Sequence, residues 1–214
     1  MVVHVCDRAA QSGATTVHVA TDDERIASAV RRHGHQALMT GAGHASGTDR
    51  LCEAARLLRL EEDEIVVNVQ GDEPLIAARL ISQVADFLEQ RHEAMVSTAC
   101  HPIHDSASLS NPNVVKVVLD AKGYALYFSR SPIPYPREPG ATPCYRHAGI
   151  YAYRAAFLEQ YAVLPPSPPE KAEGLEQLRV LWHGYRIAVA ISADEVAPGV
   201  DTPQDLEAVR RMLR

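Results

Sequence analysis

The chain reads as an α/β domain on a mixed, mainly parallel sheet, with an antiparallel arm inserted in its second half. Short β-branched runs alternate with amphipathic segments that stop at glycine, the rhythm of strands and helices in turn. The run IVVNV at 65–69 is a buried strand that closes on a Gly turn. From 114 the pattern changes to VVKVVLD, a turn at AKG and YALYFS, which is a two-stranded hairpin. The stretch 130–146 that follows has too many prolines for a helix or a central strand.

Residues 2–13 have helical spacing and stop at Gly13. TTVHVAT (15–21) reads as a strand and DDERIASAVRRHG (22–34) as a helix with its own glycine stop. A short strand near 37–40 leads into the loop GAGHASGTDR (41–50), a helix through about Leu60, and the strand IVVNV. Residues 75–91 form a helix and 94–100 a strand, and after the arm HAGIYAY (147–153) returns to strand. Prolines at 165–169 release into one helix, EKAEGLEQLRVLWHG (170–184), then a strand at 186–192. The terminal helix starts at Thr202 as N-cap, with Pro203 at the first helical position and Asp205 closing a capping-box contact.

A length of 214 residues with 46% hydrophobic composition suits a single domain. The formal net charge of −6 disfavours a nucleic-acid partner, which needs a basic face to displace counterions. Cys6, Cys52, Cys100 and Cys144 are widely spaced and form no CxxC pair, so they read as reduced cytosolic thiols rather than zinc ligands or disulfides. No apolar run reaches membrane-spanning length, and the opening MVVHVCDRAA is amphipathic rather than leader-like. The chain is therefore expected to be cytoplasmic.

Two acidic side chains carry the chemistry. Asp72, in IVVNVQGDEP, sits in a turn at the carboxyl edge of a strand, where open α/β sheets bind ligands. Asp201, in PGVDTPQDL, directly precedes a helix start. Each alone has an ordinary reading, a turn residue and a helix-dipole partner. Brought together they would repel each other and any phosphate, unless a hard cation such as Mg²⁺ lay between them. Phosphoryl or nucleotidyl transfer follows from that pairing.

The loop 41–50 leads into a helix, where free N–H groups, Ser46, Thr48 and Arg50 can meet a polar ligand. It matches neither GxxxxGK[ST] nor GxGxxG, which removes support for P-loop ATP hydrolysis and for Rossmann dehydrogenase chemistry. The ten histidines include no HExxH. His147 and Tyr151 share a strand face by period-two spacing, and Glu176 and Gln177 lie off the leucine stripe of their helix. All four also have plain structural readings, as packed or solvated side chains.

With NVQGDEP, SGTDR, NPNVVKVVLD, GYALYFSRSPIPY, RHAGIYAY, LEQLRVLW and GVDTPQDLE in this order, the chain resembles the 3-deoxy-manno-octulosonate cytidylyltransferases, or CMP-Kdo synthetases. The resemblance covers almost the whole chain and is closer than that to the sialic-acid-activating relatives of the same fold. It implies a three-layer Rossmann-like nucleotidyltransferase fold and the coupling of CTP to the acid sugar Kdo, giving CMP-Kdo and pyrophosphate for lipopolysaccharide. It implies Mg²⁺ held by Asp72 and Asp201, and a cytidine pocket from Ser46, Gly47, Thr48 and Arg50, with Gln70 at the nucleotide and sugar junction. A sugar site from His147, Tyr151, Glu176 and Gln177 follows, as does a homodimer joined through the arm around 114–135. The family opens with a strand and a triphosphate-gripping loop of the form PAR..S.RLPGKPL, whereas Met1 corresponds to a position inside the first family helix. A chain starting there is expected to hold pyrophosphate poorly and to have low activity. The competing readings are a non-catalytic nucleotide- or sugar-binding remnant, a CMP-sialic-acid-type synthetase and a metal-dependent hydrolase.

Overall fold

The computed structural model of the chain describes residues 1–44, 46–135, 137–138, 143–193, 196, 199–200 and 202–213. Its elements run in the order α1 (Val2–Ala10), β1 (His18–Thr21), α2 (Glu24–Arg32), β2 (Gln36–Met39), α3 (Gly47–Leu58) and β3 (Ile65–Asn68). Then follow α4 (Ala78–Glu89), β4 (Val96–Pro102), α5 (Ser106–Ser110), β5 (Lys116–Leu119), β6 (Ala125–Ser129) and β7 (Tyr145–Arg154). The chain closes with α6 (Ala155–Tyr161), α7 (Pro168–Glu173), α8 (Gln177–Trp182), β8 (Ile187–Ile191) and α9 (Pro203–Met212).

Side-chain chemistry accounts for several of the boundaries. Asp23, Ser46, Ser167 and Thr202 each accept a backbone N–H at a helix start, and Ser167 with Glu170 and Thr202 with Asp205 complete capping boxes. The hairpin turn is held by Asp120, whose Oδ1 accepts from the N–H groups of Lys122 and Tyr124 at 2.8 and 2.9 Å. Short α5 and α6 were not foreseen; α6 packs Phe157, Leu158 and Tyr161 into the core.

Strands β1 and β2 pair in parallel, and the larger sheet is mixed, in the order β6-β5-β7-β4-β8 with β3 also on β7. The expected mainly parallel pairing needs correction. Strands β3, β4, β5 and β8 share one direction, yet β7 runs antiparallel to β3, β4 and β5, and only β1–β2 and β4–β8 pair in parallel. The cause is connectivity: β7 returns from the proline-rich segment and inserts between strands that would otherwise be neighbours. The hairpin β5–β6 is antiparallel as expected and extends the sheet edge through β5 on β7.

The sheet has a core on each face. Ala148, Ile150 and Ala152 of β7 pack with Leu80, Ile81, Val84 and Leu88 of α4. On the other face Val96, Tyr153 and Val189 join Cys52 and Ala55 of α3, Phe157 and Tyr161 of α6 and Leu178 of α8. Helices on both faces make three layers.

The single helix expected over 170–184 is two helices. Gly174, at φ 63°, ends α7 in the left-handed conformation that favours glycine, and α8 restarts at Gln177. The break is held from both sides. Glu173 accepts from Ser129 Oγ (2.7 Å) and the Arg130 N–H (2.9 Å), while its carbonyl accepts from Arg130 Nε (2.7 Å). Lys116, fully buried, donates to the carbonyls of Asn111 (3.0 Å), Val114 (2.7 Å) and Arg130, joining the start of the hairpin to its end. Across the helix pair, Arg179 Nε donates to Glu170 at 3.1 and 2.9 Å, and its guanidinium lies 4.8 Å from the Tyr161 ring centroid. Burial raises the pKa of Glu170, but the hydrogen bonds from Arg179 and Ser167 outweigh it and hold the carboxyl below its usual range.

Removing Glu170 would leave Arg179 buried without its carboxylate. Glu170→Ala is expected to cost about 3–5 kcal/mol of stability, measured as a lowered urea midpoint; an unchanged midpoint would show that the pair is not needed to join α7 to α8.

Candidate active site

The site begins where β7 changes partners. One edge of β7 pairs with β4 along its length, while the other pairs with β5 at Tyr145 and Arg146 and with β3 from Tyr151 to Arg154. Between these the strand bulges: Thr98 of β4 pairs with Tyr151 and Ala99 with Ala148, so Gly149 and Ile150 have no partner on β4. Thr98 Oγ1 clamps the bulge, bonding the carbonyls of Ala148 (3.1 Å) and Ile150 (2.6 Å) and lying 3.0 Å from His147 Nε2. The carboxyl end of β3 and the amino end of β5 diverge on either side of it.

A cavity of about 330 Å³ fills this fork. Its walls come from Asn68 and Gln70 after β3, Val115 before β5, His147, Gly149, Tyr151 and Tyr153 on β7, and Gly47 and Thr48 at the start of α3. The break between α7 and α8 closes it with Glu176 and Gln177, and Tyr161 of α6 also lines it. Thr48 Oγ1 donates to Glu176 Oε2 at 2.9 Å across a separation of 128 residues. A hydrogen bond to a charged group contributes about 1.5–3 kcal/mol. It fastens the 41–50 loop to the helix break.

Burial keeps the aromatic groups uncharged. Tyr151, Tyr153 and Tyr161 have pKa values above the ordinary phenol value, first through burial and then, in each, through the Glu176 carboxylate among other groups. The His147 ring packs against Phe128 (5.0 Å) and Tyr151 (5.3 Å), and burial lowers its pKa to about 3. Thr98 has one proton, which goes to a carbonyl, so its oxygen accepts from the His147 Nε2–H and Nδ1 is left as an acceptor. Among the described residues the buried Tyr161 Oη has no hydrogen-bond partner, an arrangement that costs about 1–3 kcal/mol.

Gly47, Thr48, Gln70, His147, Tyr151, Glu176 and Gln177 meet in this one cavity, although the sequence offered them as three separate groups. Ser46 serves α3 as its N-cap, accepting from the Asp49 N–H at 3.2 Å. Arg50 is directed away from the cavity walls: it donates to Thr40 Oγ1 (2.6 Å) and the Gly41 carbonyl (3.2 Å) and pairs with Asp22 (3.2 Å), anchoring the loop to the ends of β1 and β2. Asp72 stands in the turn two residues past Gln70, and its carbonyl accepts from the Val200 N–H at 2.9 Å. Asp201 lies outside the described residues. Tyr153 and Tyr161 were missed as wall residues. Tyr153 continues the period-two series His147, Gly149, Tyr151, a signal present in the string, whereas Tyr161 looks in sequence like any apolar-face residue of a helix.

A family model described as cytidylyltransferase matches residues 1–187. The chain is 54% identical over 228 aligned positions to a 3-deoxy-manno-octulosonate cytidylyltransferase of Acidovorax sp. (strain JS42), covering 100% of this chain and 87% of that protein. It is 55% identical over 230 positions to the protein of the same name from Verminephrobacter eiseniae (strain EF01-2), at 100% and 85% coverage. A solved structure of CMP:2-keto-3-deoxy-manno-octonic acid synthetase complexed with CTP superimposes with a TM-score of 0.93 at 45% identity, over 99% of this chain and 86% of that one.

The lowered pKa of His147 sets a pH dependence. Between the unfolded value near 6.5 and the folded value of about 3, the unfolded chain binds a proton that the folded chain does not. The contribution of His147 to stability is thus complete above pH 6.5 and lost as pH falls. On acidification from pH 7 to 5, the melting temperature of the unsubstituted protein is expected to fall more steeply than that of His147→Gln; parallel slopes would mean that the fold does not lower the His147 pKa.

Proposed function

The chain belongs to the 3-deoxy-manno-octulosonate cytidylyltransferase family, and on that basis we propose that it couples CTP to Kdo in this cavity, forming CMP-Kdo and pyrophosphate for lipopolysaccharide synthesis. The observation that carries the reading is the Thr48–Glu176 hydrogen bond, which joins the loop expected to hold the nucleotide to the helix break expected to hold the sugar.

Each wall has a role in this proposal. Gly47, beside which a Cβ would meet nothing within 4 Å, leaves the start of α3 open for the nucleotide to approach the backbone, with Ser46 and Thr48 beside it. Arg50 acts from behind by fixing the loop to Thr40 and Asp22. Gln70 stands where nucleotide and sugar meet. On the sugar side, His147 accepts a hydroxyl proton at Nδ1, Tyr151 donates from a neutral phenol, and Glu176 and Gln177 supply carboxylate and amide contacts. So held, the C2 hydroxyl oxygen of Kdo bonds to the α-phosphorus as the bond to the pyrophosphate oxygen breaks, and the hydroxyl proton passes to solvent. Positioning and charge neutralisation do most of the work in such a transfer.

Asp72 and Asp201 are proposed as the protein's Mg²⁺ donors. Among the described residues the Asp72 carboxylate has no recorded hydrogen-bond or ion-pair partner, and the Val200 N–H contact brings the 199–200 segment to its turn. Among those residues no group of three or more His, Cys, Asp or Glu could hold a metal. That suits Mg²⁺, which commonly takes one or two carboxylates and fills its shell with phosphate oxygens and water. When bound, the ion would neutralise phosphate charge and lower the pKa of the attacking hydroxyl.

A homodimer is proposed as well. Strand β6 exposes Leu126 (60%) and Tyr127, and α8, which contacts β6, exposes Trp182 (58%); a second copy would cover these apolar groups. Among the described residues no helix is long and apolar enough to cross a membrane. Dependence on CTP supports a cytoplasmic setting.

With CTP, Mg²⁺ and Kdo the chain is expected to release pyrophosphate and form CMP-Kdo, and with sialic acid to form no product. Failure to bind CTP by calorimetry, together with no product from Kdo, would overturn the function. Asp72→Asn is expected to lower pyrophosphate release by about a hundredfold or more with the circular dichroism spectrum unchanged; a near-normal rate would refute the metal assignment. Light scattering is expected to return twice the chain mass of 23.4 kDa, and Leu126→Glu to shift it toward the monomer.

A further inference from the structure

We infer that Thr98 is a positioning residue for the proposed reaction: its hydroxyl fixes the tautomer of His147 and so commits that ring to accepting a hydrogen bond from a substrate hydroxyl. The inference rests on the proposed function and deepens it, adding a residue of β4 that is not itself part of the cavity wall.

Thr98 is fully buried, and three groups converge on its oxygen: the Ile150 carbonyl at 2.6 Å, His147 Nε2 at 3.0 Å and the Ala148 carbonyl at 3.1 Å. The two carbonyls can only accept. The one hydroxyl proton lies toward them, because two oxygens 2.6 Å apart would repel each other with no proton between them. Turning the hydroxyl toward the ring would leave both carbonyls of the bulge without it. Nε2 therefore faces a lone pair and carries its own proton. The ring is held in this orientation. Phe128 meets it edge-on at 5.0 Å, Tyr151 packs at 5.3 Å, and the His147 backbone N–H donates to the Val115 carbonyl at 2.9 Å.

The consequence falls on the other nitrogen. A neutral imidazole with its proton on Nε2 presents only a lone pair at Nδ1. Among the described residues Nδ1 has no hydrogen-bond partner, yet unlike Tyr161 Oη it keeps accessible surface, on a residue that lines the cavity. Burial lowers the pKa of the ring to about 3, so no second proton is there near neutral pH. Nδ1 thus bonds a group that donates. A sugar hydroxyl can do so, whereas an ionised carboxylate or a phosphate oxygen brings only lone pairs and is turned away. With the opposite tautomer the preference would reverse, and Nδ1–H would draw the acid group instead. Thr98 in this way selects between two poses of a hydroxy acid.

The test combines imidazole nitrogen NMR with kinetics. In protein labelled at the histidine nitrogens, with His147 assigned by its loss in His147→Gln, the ring is expected to be the Nε2–H tautomer at neutral pH. Added Kdo is expected to shift Nδ1 in the direction of an accepted hydrogen bond. In Thr98→Val, Nε2–H would face a methyl group, so the proton is expected to move to Nδ1. The KM for Kdo should then rise about tenfold, the worth of one neutral hydrogen bond, with the KM for CTP held. Thr98→Ser keeps the hydroxyl and is expected to restore both the tautomer and the KM for Kdo. An Nδ1–H tautomer in the unsubstituted protein overturns the inference whether or not Thr98→Val folds, and leaves the proposed function standing. Equal rises in both KM values in Thr98→Val, with the Nε2–H tautomer kept, would make Thr98 structural only and overturn the inference too. If the unsubstituted chain binds CTP by calorimetry but no Kdo, the functional reading and the role of Thr98 fall together.

Discussion

The divided edge of β7 is the constraint from which the rest of the site follows. A strand paired on both sides along its whole length leaves no room for a ligand. A strand paired with β5 at one end and β3 at the other opens a fork whose floor is its own bulged backbone. The bulge would be costly without Thr98, which is fully buried and bonds the carbonyls of Ala148 and Ile150. One hydroxyl on a neighbouring strand thus sets both the shape of the floor and the tautomer of His147.

The fork becomes a pocket because buried polar links bring distant segments to its rim. Lys116, Arg130 and Glu173 lock the end of the hairpin to the end of α7, and Gly174 then turns the chain so that Glu176 and Gln177 face the cavity. Glu170 and Arg179 hold the two short helices together beneath Tyr161. Thr48 closes the circle by bonding Glu176. In each link a charged or polar group buried without its partner would be expensive, so the links specify geometry as well as adding stability.

The cavity wall is therefore mostly uncharged. His147 and the three tyrosines are held neutral by burial, and among the described residues Glu176 is its one carboxylate. Such a surface suits a polyol, and the acidic group proposed for metal binding stands apart, in the turn after β3. Separating the neutral wall from the turn that carries Asp72 would let each serve its own part of the proposed reaction.

Much of this was legible in the sequence. Local signals foretold the strand IVVNV, the hairpin, the capping box at Thr202 and the spacing of His147 and Tyr151, because caps, turns and periodicity are set by neighbours within a few residues. The helix break at Gly174 was read as continuous helix, since glycine within an apolar stripe does not reveal its sign of φ until the flanks are pinned by Ser129 and Arg130. Arg50 belonged to the right loop, but only the fold offered it Asp22 and Thr40. The sequence by itself determined the elements, their ends and the residue types available for chemistry, all short-range properties of the chain. Only the tertiary structure decided that β7 would enter antiparallel between β3 and β4 and that Thr48 would meet Glu176. Those depend on contacts between segments far apart in the chain, which no local pattern encodes.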